Sequence, residues 1–333
     1  MLTETKLRAI LRRLPRLTIG IVGDFFLDRY LDLDPRLTEK SVETGLDAYQ
    51  VTGVRVSPGA AGTVVNNLAA LGVGRMIAFT ILGDDGEGYE LRRELAARRV
   101  DLRSLIVTRD RRTPTYTKPM LGGGRGDELN RMDIKNRSAT PLQLSKKIAM
   151  HLRREFHALD ALIVADQVQE ANCGVITAAV RHELAALGRR HPDKLILADS
   201  RSRIGLFRNL TLKPNRDECL GAARSKDARA AAMSLSQRCG RHVFCTLGDR
   251  GILVADGSKV HLAKGIRVRG PMDIVGAGDS ATAGIVCALA AGATLLEAAA
   301  LGNIVASITI QKIGTTGTAT PSEVLQRFRE SAA

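Results

Sequence analysis

The sequence predicts an α/β fold with a mainly parallel sheet covered by helices on both faces. Three observations carry that expectation. Short, almost wholly apolar runs recur along the chain: "LTIGIV", "MIAFTILG", "ALIVAD", "LILAD", "HVFCT" and "GILVAD". Strands apolar on both faces belong in a buried parallel sheet, whereas a sheet with one wet face alternates polar and apolar. Segments of helical periodicity lie between or after them: "GTVVNNLAALG", "GYELRRELAARRV", "NCGVITAAVRHELAAL", "ARAAAMSLSQRCG", "SATAGIVCALAAG" and "LLEAAALGNIVASITIQKIG". Finally, Asp24, Asp84, Asp166, Asp199 and Gly248 all close strands, and in such sheets ligands sit beyond the carboxyl ends.

The leading segment "MLTETKLRAILRRLPR" sets Leu7, Ile10, Leu11 and Leu14 at helical spacing. No long apolar region follows, so residues 1–14 read as a surface helix and not an export signal. No run approaches the roughly 18 apolar residues of a membrane span. The 333 residues, 44% hydrophobic and 25% charged, suit one large domain, or one domain with an excursion. The net charge of +14 comes from scattered groups, as in "LRRELAARRV" and "TRDRR", without an unbroken basic block. That pattern favours a solvated surface with a local anion site over a nucleic-acid or membrane partner. Aromatics make up 3% and Trp is absent, which leaves few platforms for stacking bases. Five cysteines without a CxxC pair predict a reduced, cytoplasmic protein with no structural zinc.

Two segments interrupt the alternation. Residues 30–56 are turn-rich, and residues 113–136 suggest a hairpin around Gly122–Gly126. They are either ordinary surface loops or a second small sheet acting as a lid. On the second view the main domain comprises 1–29, 57–112 and 137–333.

Three stretches bear chemistry. In "DIVGAGD" (273–279) a Gly-Ala-Gly turn precedes an Ala-rich helix. Successive N–H groups there form an anion-binding nest, reinforced by the helix dipole. Asp279 is then either a helix cap or a base beside a bound phosphate. The Gly276-x-Gly278-x-x-Ala281 spacing also fits a dinucleotide fingerprint, but it sits late in the chain, outside an opening βαβ unit. In "LKPNRDECLGA", Asn215 and Glu218 are either a capping box or holders of a hydrated Mg²⁺. In "TLGDRG", Thr246, Gly248 and Gly251 bound a tight loop, either hairpin punctuation or a place for close nucleotide approach.

Taken in this order, these stretches resemble the PfkB, or ribokinase-like, family of carbohydrate kinases. The resemblance runs from about residue 16 to 325 and includes "GDFFLDRY", "PGAAGTVVNNLAALG", "KPNRDE", "TLGDRG", "DIVGAGD" and "LGNIVASITIQKIGTTG". Among subfamilies the chain looks most like the heptose-7-phosphate kinases. The 333 residues leave no room for the nucleotidyltransferase half that some of those carry.

The resemblance implies a three-layer α/β/α sandwich with a β-sheet lid, ATP and Mg²⁺ as cofactors, and a homodimer formed through the lid. It implies that Asp279 is the catalytic base and that the backbone of Gly276, Ala277 and Gly278 forms the anion hole. Asn215 and Glu218 would organise Mg²⁺ and phosphate. Thr246, Gly248 and Gly251 would flank ATP, and Asn303 would lie near adenine. Asp24, Asp28, Gly59 and Asn67 would face the sugar, with Lys118 and Arg131 meeting a sugar phosphate. Asp273 and Gly314 lie where family members bind a monovalent cation such as K⁺. The chain departs from the family on the sugar side. The usual paired glycine reads Gly59-Ala60, the following Asn reads Thr63, and 40–51 and 166–170 also differ. These departures leave open another sugar or a nucleoside as substrate, or a non-catalytic sensor on the same scaffold.

Overall fold

The computed structural model describes residues 2–122, 127–314 and 316–332. Six parallel strands form the body of the main sheet: Thr18–Gly23, Arg75–Gly83, Ala161–Asp166, Leu195–Ser200, Thr211–Leu212 and Val243–Thr246. Thr18–Gly23 lies between Arg75–Gly83 and Ala161–Asp166. Gly251–Ala255 and Val260–Lys264 extend one edge as an antiparallel pair.

Side-chain alternation divides each central strand between two cores. Ile19 and Ile21 enter the core beneath the helices Ala61–Ala70, Ala277–Ala290 and Leu295–Thr309, while Val22 enters the opposite one. Ile163 and Val164 divide in the same way. The second core lies beneath Leu142–Glu155, Ala178–Arg190 and Ala228–Cys239. Both faces of these strands exclude water, which explains why they read as continuous apolar runs.

The interrupting segments form a separate four-stranded sheet. Phe25–Leu33 pairs antiparallel with Val51–Ala60 and parallel with Thr115–Leu121, and Met132–Ile134 adds the far edge. The sheet reaches further than 30–56, because its first strand starts at Phe25, two residues after the main sheet ends at Gly23. Most of the turn expected at Gly122–Gly126 lies outside the described residues. Arg29 ties this sheet to the helix Gly86–Ala97 through Glu90 at 2.5 Å and Glu87 at 3.6 Å.

The leading helix spans Glu4–Arg13 and buries Leu7, Ile10 and Leu11. Among the described residues no helix is long and apolar enough to cross a membrane, and all five cysteines are free and buried.

Candidate active site

The helix Ala277–Ala290 begins without a side-chain cap. Gly276 occupies the N-cap position at φ +79°, a conformation that disfavours residues with a Cβ. The N–H of Ala277 donates to the Ile274 carbonyl at 3.2 Å. Of the three donors expected in the anion hole, Ala277 is therefore already engaged. Among the described residues the N–H groups of Gly276, Gly278 and Asp279 have no acceptor, and they lie where the positive end of the dipole is.

Asp279 stands in the first turn, half-buried, and its carboxylate accepts no hydrogen bond from the described residues. It is not the cap. Burial lifts its pKa to about 7, and the Asp199 carboxylate pushes it the same way. Lys213 and Arg201 pull it down, and Asp28 adds a further upward push. Four groups from the ends of two parallel strands and from the small sheet thus act on one carboxylate.

Lys213 is almost wholly buried at the end of Thr211–Leu212, and its Nζ lies 2.9 Å from Asp199 Oδ2. Burial alone would discharge it, but Asp199, Glu218 and Asp279 together hold its pKa above the ordinary lysine value. A Cβ built on Gly278 would meet that Nζ at 3.7 Å, so the ammonium lies against the helix start. Asp199 is one of the strand-closing acids read from the sequence, but Lys213 is not among the expected site residues. Nothing in "LKPN" marks this lysine as buried, because its role depends on a partner 14 positions away.

Asn215 and Glu218 form the capping box: Asn215 Oδ1 accepts from Glu218 N at 2.9 Å, and Glu218 Oε2 accepts from Asn215 N at 2.8 Å. The arrangement also fixes Glu218 toward the site, where burial raises its pKa and the charges of Asp199, Lys213 and Arg201 reach it. Thr246 N donates to Pro214 O at 2.9 Å, which brings "TLGDRG" alongside "KPN". Gly248 adopts φ +65°, and a Cβ on Gly251 would lie 2.2 Å from Ala263 O. Asn303 donates to the carbonyls of Ala263 and Lys264, each at 3.0 Å. Its amide is thus engaged in holding the end of a strand. It lines a groove of about 1000 Å³ together with Lys264, Arg267, Leu296 and Phe328. Asp273 Oδ1 accepts from Val275 N at 3.0 Å, and Gly314 adopts φ +78°.

On the sugar side the structure separates the expected residues. Asp28 packs against Gly59 so closely that a Cβ there would lie 2.4 Å from Asp28 Oδ2. Burial raises the Asp28 pKa, opposed by Lys118, whose Nζ lies 3.6 Å away, and by Arg131. Lys118 also sits 4.8 Å from the centre of the Tyr30 ring, and Arg131 sits 4.2 Å from that of Tyr116. Arg131 pairs with Asp133 at 2.7 Å.

One expectation is corrected. Asn67 is fully buried and donates to Thr63 O, so it does not reach a ligand. Asp24 accepts from the backbone N–H groups of Gln167 (3.0 Å), Val168 (3.2 Å) and Val175 (2.6 Å). It anchors the loop 167–175 and also lines the cavity that this loop walls. That loop walls a cavity of about 220 Å³ also lined by Arg111, Tyr116, Arg131, Lys135 and Arg201.

An uncapped helix start beside a free carboxylate and a buried lysine, at the rim of a parallel α/β sheet, is an arrangement suited to phosphoryl transfer to a small molecule. The chain matches the pfkB family carbohydrate kinase profile over residues 30–322, and it belongs to that family. It is 27% identical over 327 residues to the Bifunctional protein HldE of Trichlorobacter lovleyi, covering 95% of this chain and 64% of that protein. It is 29% identical to the HldE of Geotalea uraniireducens, covering 92% of this chain and 61% of that one. The chain thus spans less than two thirds of the length of these curated relatives. Among solved structures, Escherichia coli phosphofructokinase-2 in complex with fructose-6-phosphate superposes with a TM-score of 0.70 at 16% identity, covering 95% of this chain and all of that one. Arabidopsis thaliana ribokinase complexed with ribose and ATP gives 0.67 at 16% identity, covering 94% and 99%. These structural likenesses show the ribokinase fold.

Proposed function

We propose that this carbohydrate kinase transfers the γ-phosphoryl group of ATP to a hydroxyl of a sugar phosphate, with heptose 7-phosphate the leading candidate. The observation that carries the reading is Asp279: an unengaged carboxylate in the first turn of a helix whose N–H groups are free. In the reaction the acceptor oxygen forms a bond to the γ-phosphorus and gives its proton to Asp279. The bond from that phosphorus to the β,γ-bridging oxygen breaks, and its electron pair leaves with ADP. The N–H groups of Gly276, Gly278 and Asp279 and the Lys213 ammonium hold the charge on the transferring group.

Among the described residues no cluster of three or more His, Cys, Asp or Glu builds a metal cage. The donors present, Glu218 and Asp199, suit a hydrated Mg²⁺ held mainly by phosphates. When bound, Mg²⁺ would supply charge neutralisation to those phosphates. Asp273 and the Gly314 turn suit a monovalent cation. Asp28 with Gly59 would take sugar hydroxyls, and Lys118 and Arg131 would take the phosphate already on the acceptor. The HldE similarity supports the heptose choice. The free cysteines support a reducing, cytoplasmic setting.

The small sheet would act as lid and dimer surface. Val42, Leu46, Val51 and Val54 leave large apolar area exposed on its strands and connections. An ADP-release screen with ATP and Mg²⁺ over heptose 7-phosphate, fructose, fructose 6-phosphate, ribose and nucleosides tests the substrate. Turnover with heptose 7-phosphate well above the others is expected; faster turnover of an unphosphorylated sugar or a nucleoside would reject the sugar-phosphate reading.

A further inference from the structure

Arg201 follows Ser200 at the end of the strand Leu195–Ser200, two residues from the Asp199 that pairs with Lys213. It lines the 220 Å³ cavity on the acceptor side. The other three cations of that cavity are engaged. Arg111 donates to the carbonyls of Cys173 and Ser138, and Arg131 and Lys135 both pair with Asp133, at 2.7 and 3.4 Å. Arg201 has no carboxylate within ion-pair distance among the described residues. Its side-chain hydrogen bond runs from Nε to Gln167 Oε1 at 2.7 Å, which leaves both terminal nitrogens free.

That single contact orients the guanidinium. Gln167 is buried and its own N–H is held by Asp24 at 3.0 Å, so the fork is fixed through a chain of two engaged groups. Arg201 follows the strand whose Asp199 pairs with Lys213, and it shares the cavity wall with Tyr116 and Arg131, so it stands where the Lys213 side of the site meets that cavity.

We propose that Arg201 is a further catalytic residue, whose free terminal nitrogens grip the equatorial oxygens of the phosphoryl group as it passes to the acceptor, with Gln167 as its positioning residue. The inference rests on the kinase reading above. The helix N–H groups and Lys213 approach the transferring group from the donor side, and charge develops on all three of its oxygens. A planar fork on the acceptor side completes the enclosure, as a point charge on a lysine would not. Arg201 takes no proton in the step. Asp279 accepts the acceptor's proton and the leaving electron pair remains with ADP.

The test compares wild type with Arg201→Ala, Arg201→Lys and Gln167→Ala. Two readouts are taken: steady-state kinetics with the acceptor returned by the screen, and binding of MgADP with and without aluminium fluoride, a mimic of the group in flight. Arg201 is exposed, so folding is retained, as circular dichroism will confirm. Arg201→Ala is expected to lower kcat by about 10²-fold or more, with acceptor KM changed by less than about threefold. It is also expected to weaken MgADP–aluminium fluoride while MgADP alone binds as before. Arg201→Lys should restore only part of kcat, and Gln167→Ala should lower kcat less than Arg201→Ala. A rise in KM at unchanged kcat would assign Arg201 to acceptor binding and overturn the proposal, as would unaltered aluminium fluoride binding. Wild type inactive with every acceptor would instead defeat the substrate reading, and the aluminium fluoride comparison would still decide Arg201.

Discussion

Asp279 combines two properties that conflict in a folded protein: it is a carboxylate that must ionise to work, and it sits where ionisation is disfavoured. Its folded pKa of about 7 lies above the unfolded value, so the native state binds its proton more tightly than the unfolded state does. Ionised Asp279 therefore detracts from stability at high pH, and stability is regained as pH falls below about 7. Asp279→Asn should raise the melting temperature at pH 8, with a smaller gain at pH 5, in scanning calorimetry. An equal gain at both values would contradict the assignment. For the same reason kcat/KM should fall on the acid side of about pH 7, where the base is protonated. Ala60 carries a second local strain. It adopts φ +53° and ψ −118° at the start of the helix Ala61–Ala70, a conformation that favours glycine. Ala60→Gly should stabilise the protein by about 1–2 kcal/mol in urea unfolding, since a non-glycine residue there costs on that order.

At the scale of elements, the loop 167–175 is held by side chains and not by a ladder. Asp24 takes its N–H groups, Arg203 takes the carbonyls of Val168 and Gln169, and Arg111 takes that of Cys173. Gly174 packs on Asp24 so tightly that a Cβ would lie 2.6 Å from Oδ1. Gly174→Ala should displace the loop and raise acceptor KM severalfold while nucleotide affinity is kept; unchanged KM would show that the loop does not shape the acceptor site. Local signals made much of the fold legible. The strand ending at Asp166, the capping box of Asn215 and Glu218, and the glycine turn before Asp279 each lie within a few residues of sequence. What stayed hidden depends on distant partners. Lys213 gains its meaning from Asp199 and Asp279, and Arg201 from Gln167. The orientation of Asn67 was equally hidden, because Ala61 to Leu68 are buried on every side and no polar stripe marks the face toward a ligand. The three backbone amides that Asp24 accepts were hidden as well, because an acid at a strand end looks alike whether or not it anchors a loop.

Across the whole molecule, topology brings the working groups to one rim. Asp28 comes from the small sheet, Asp199 and Lys213 from the ends of parallel strands, and Asp279 from a late helix, yet their charges act on one another. The account therefore gives the small sheet a part in the proposed site as well as in a proposed dimer surface. Val54→Asp and Leu46→Asp together should convert a dimer to a monomer in sedimentation velocity; a monomeric wild type would remove the dimer proposal. The central claim is that Asp279 receives the acceptor's proton while the adjacent helix start holds the phosphoryl group. Its most direct test is the turnover of Asp279→Asn alongside its affinity for ATP. The account predicts kcat lower by about 10²–10⁴-fold with ATP affinity nearly unchanged, as for loss of a general base; turnover close to wild type would contradict it.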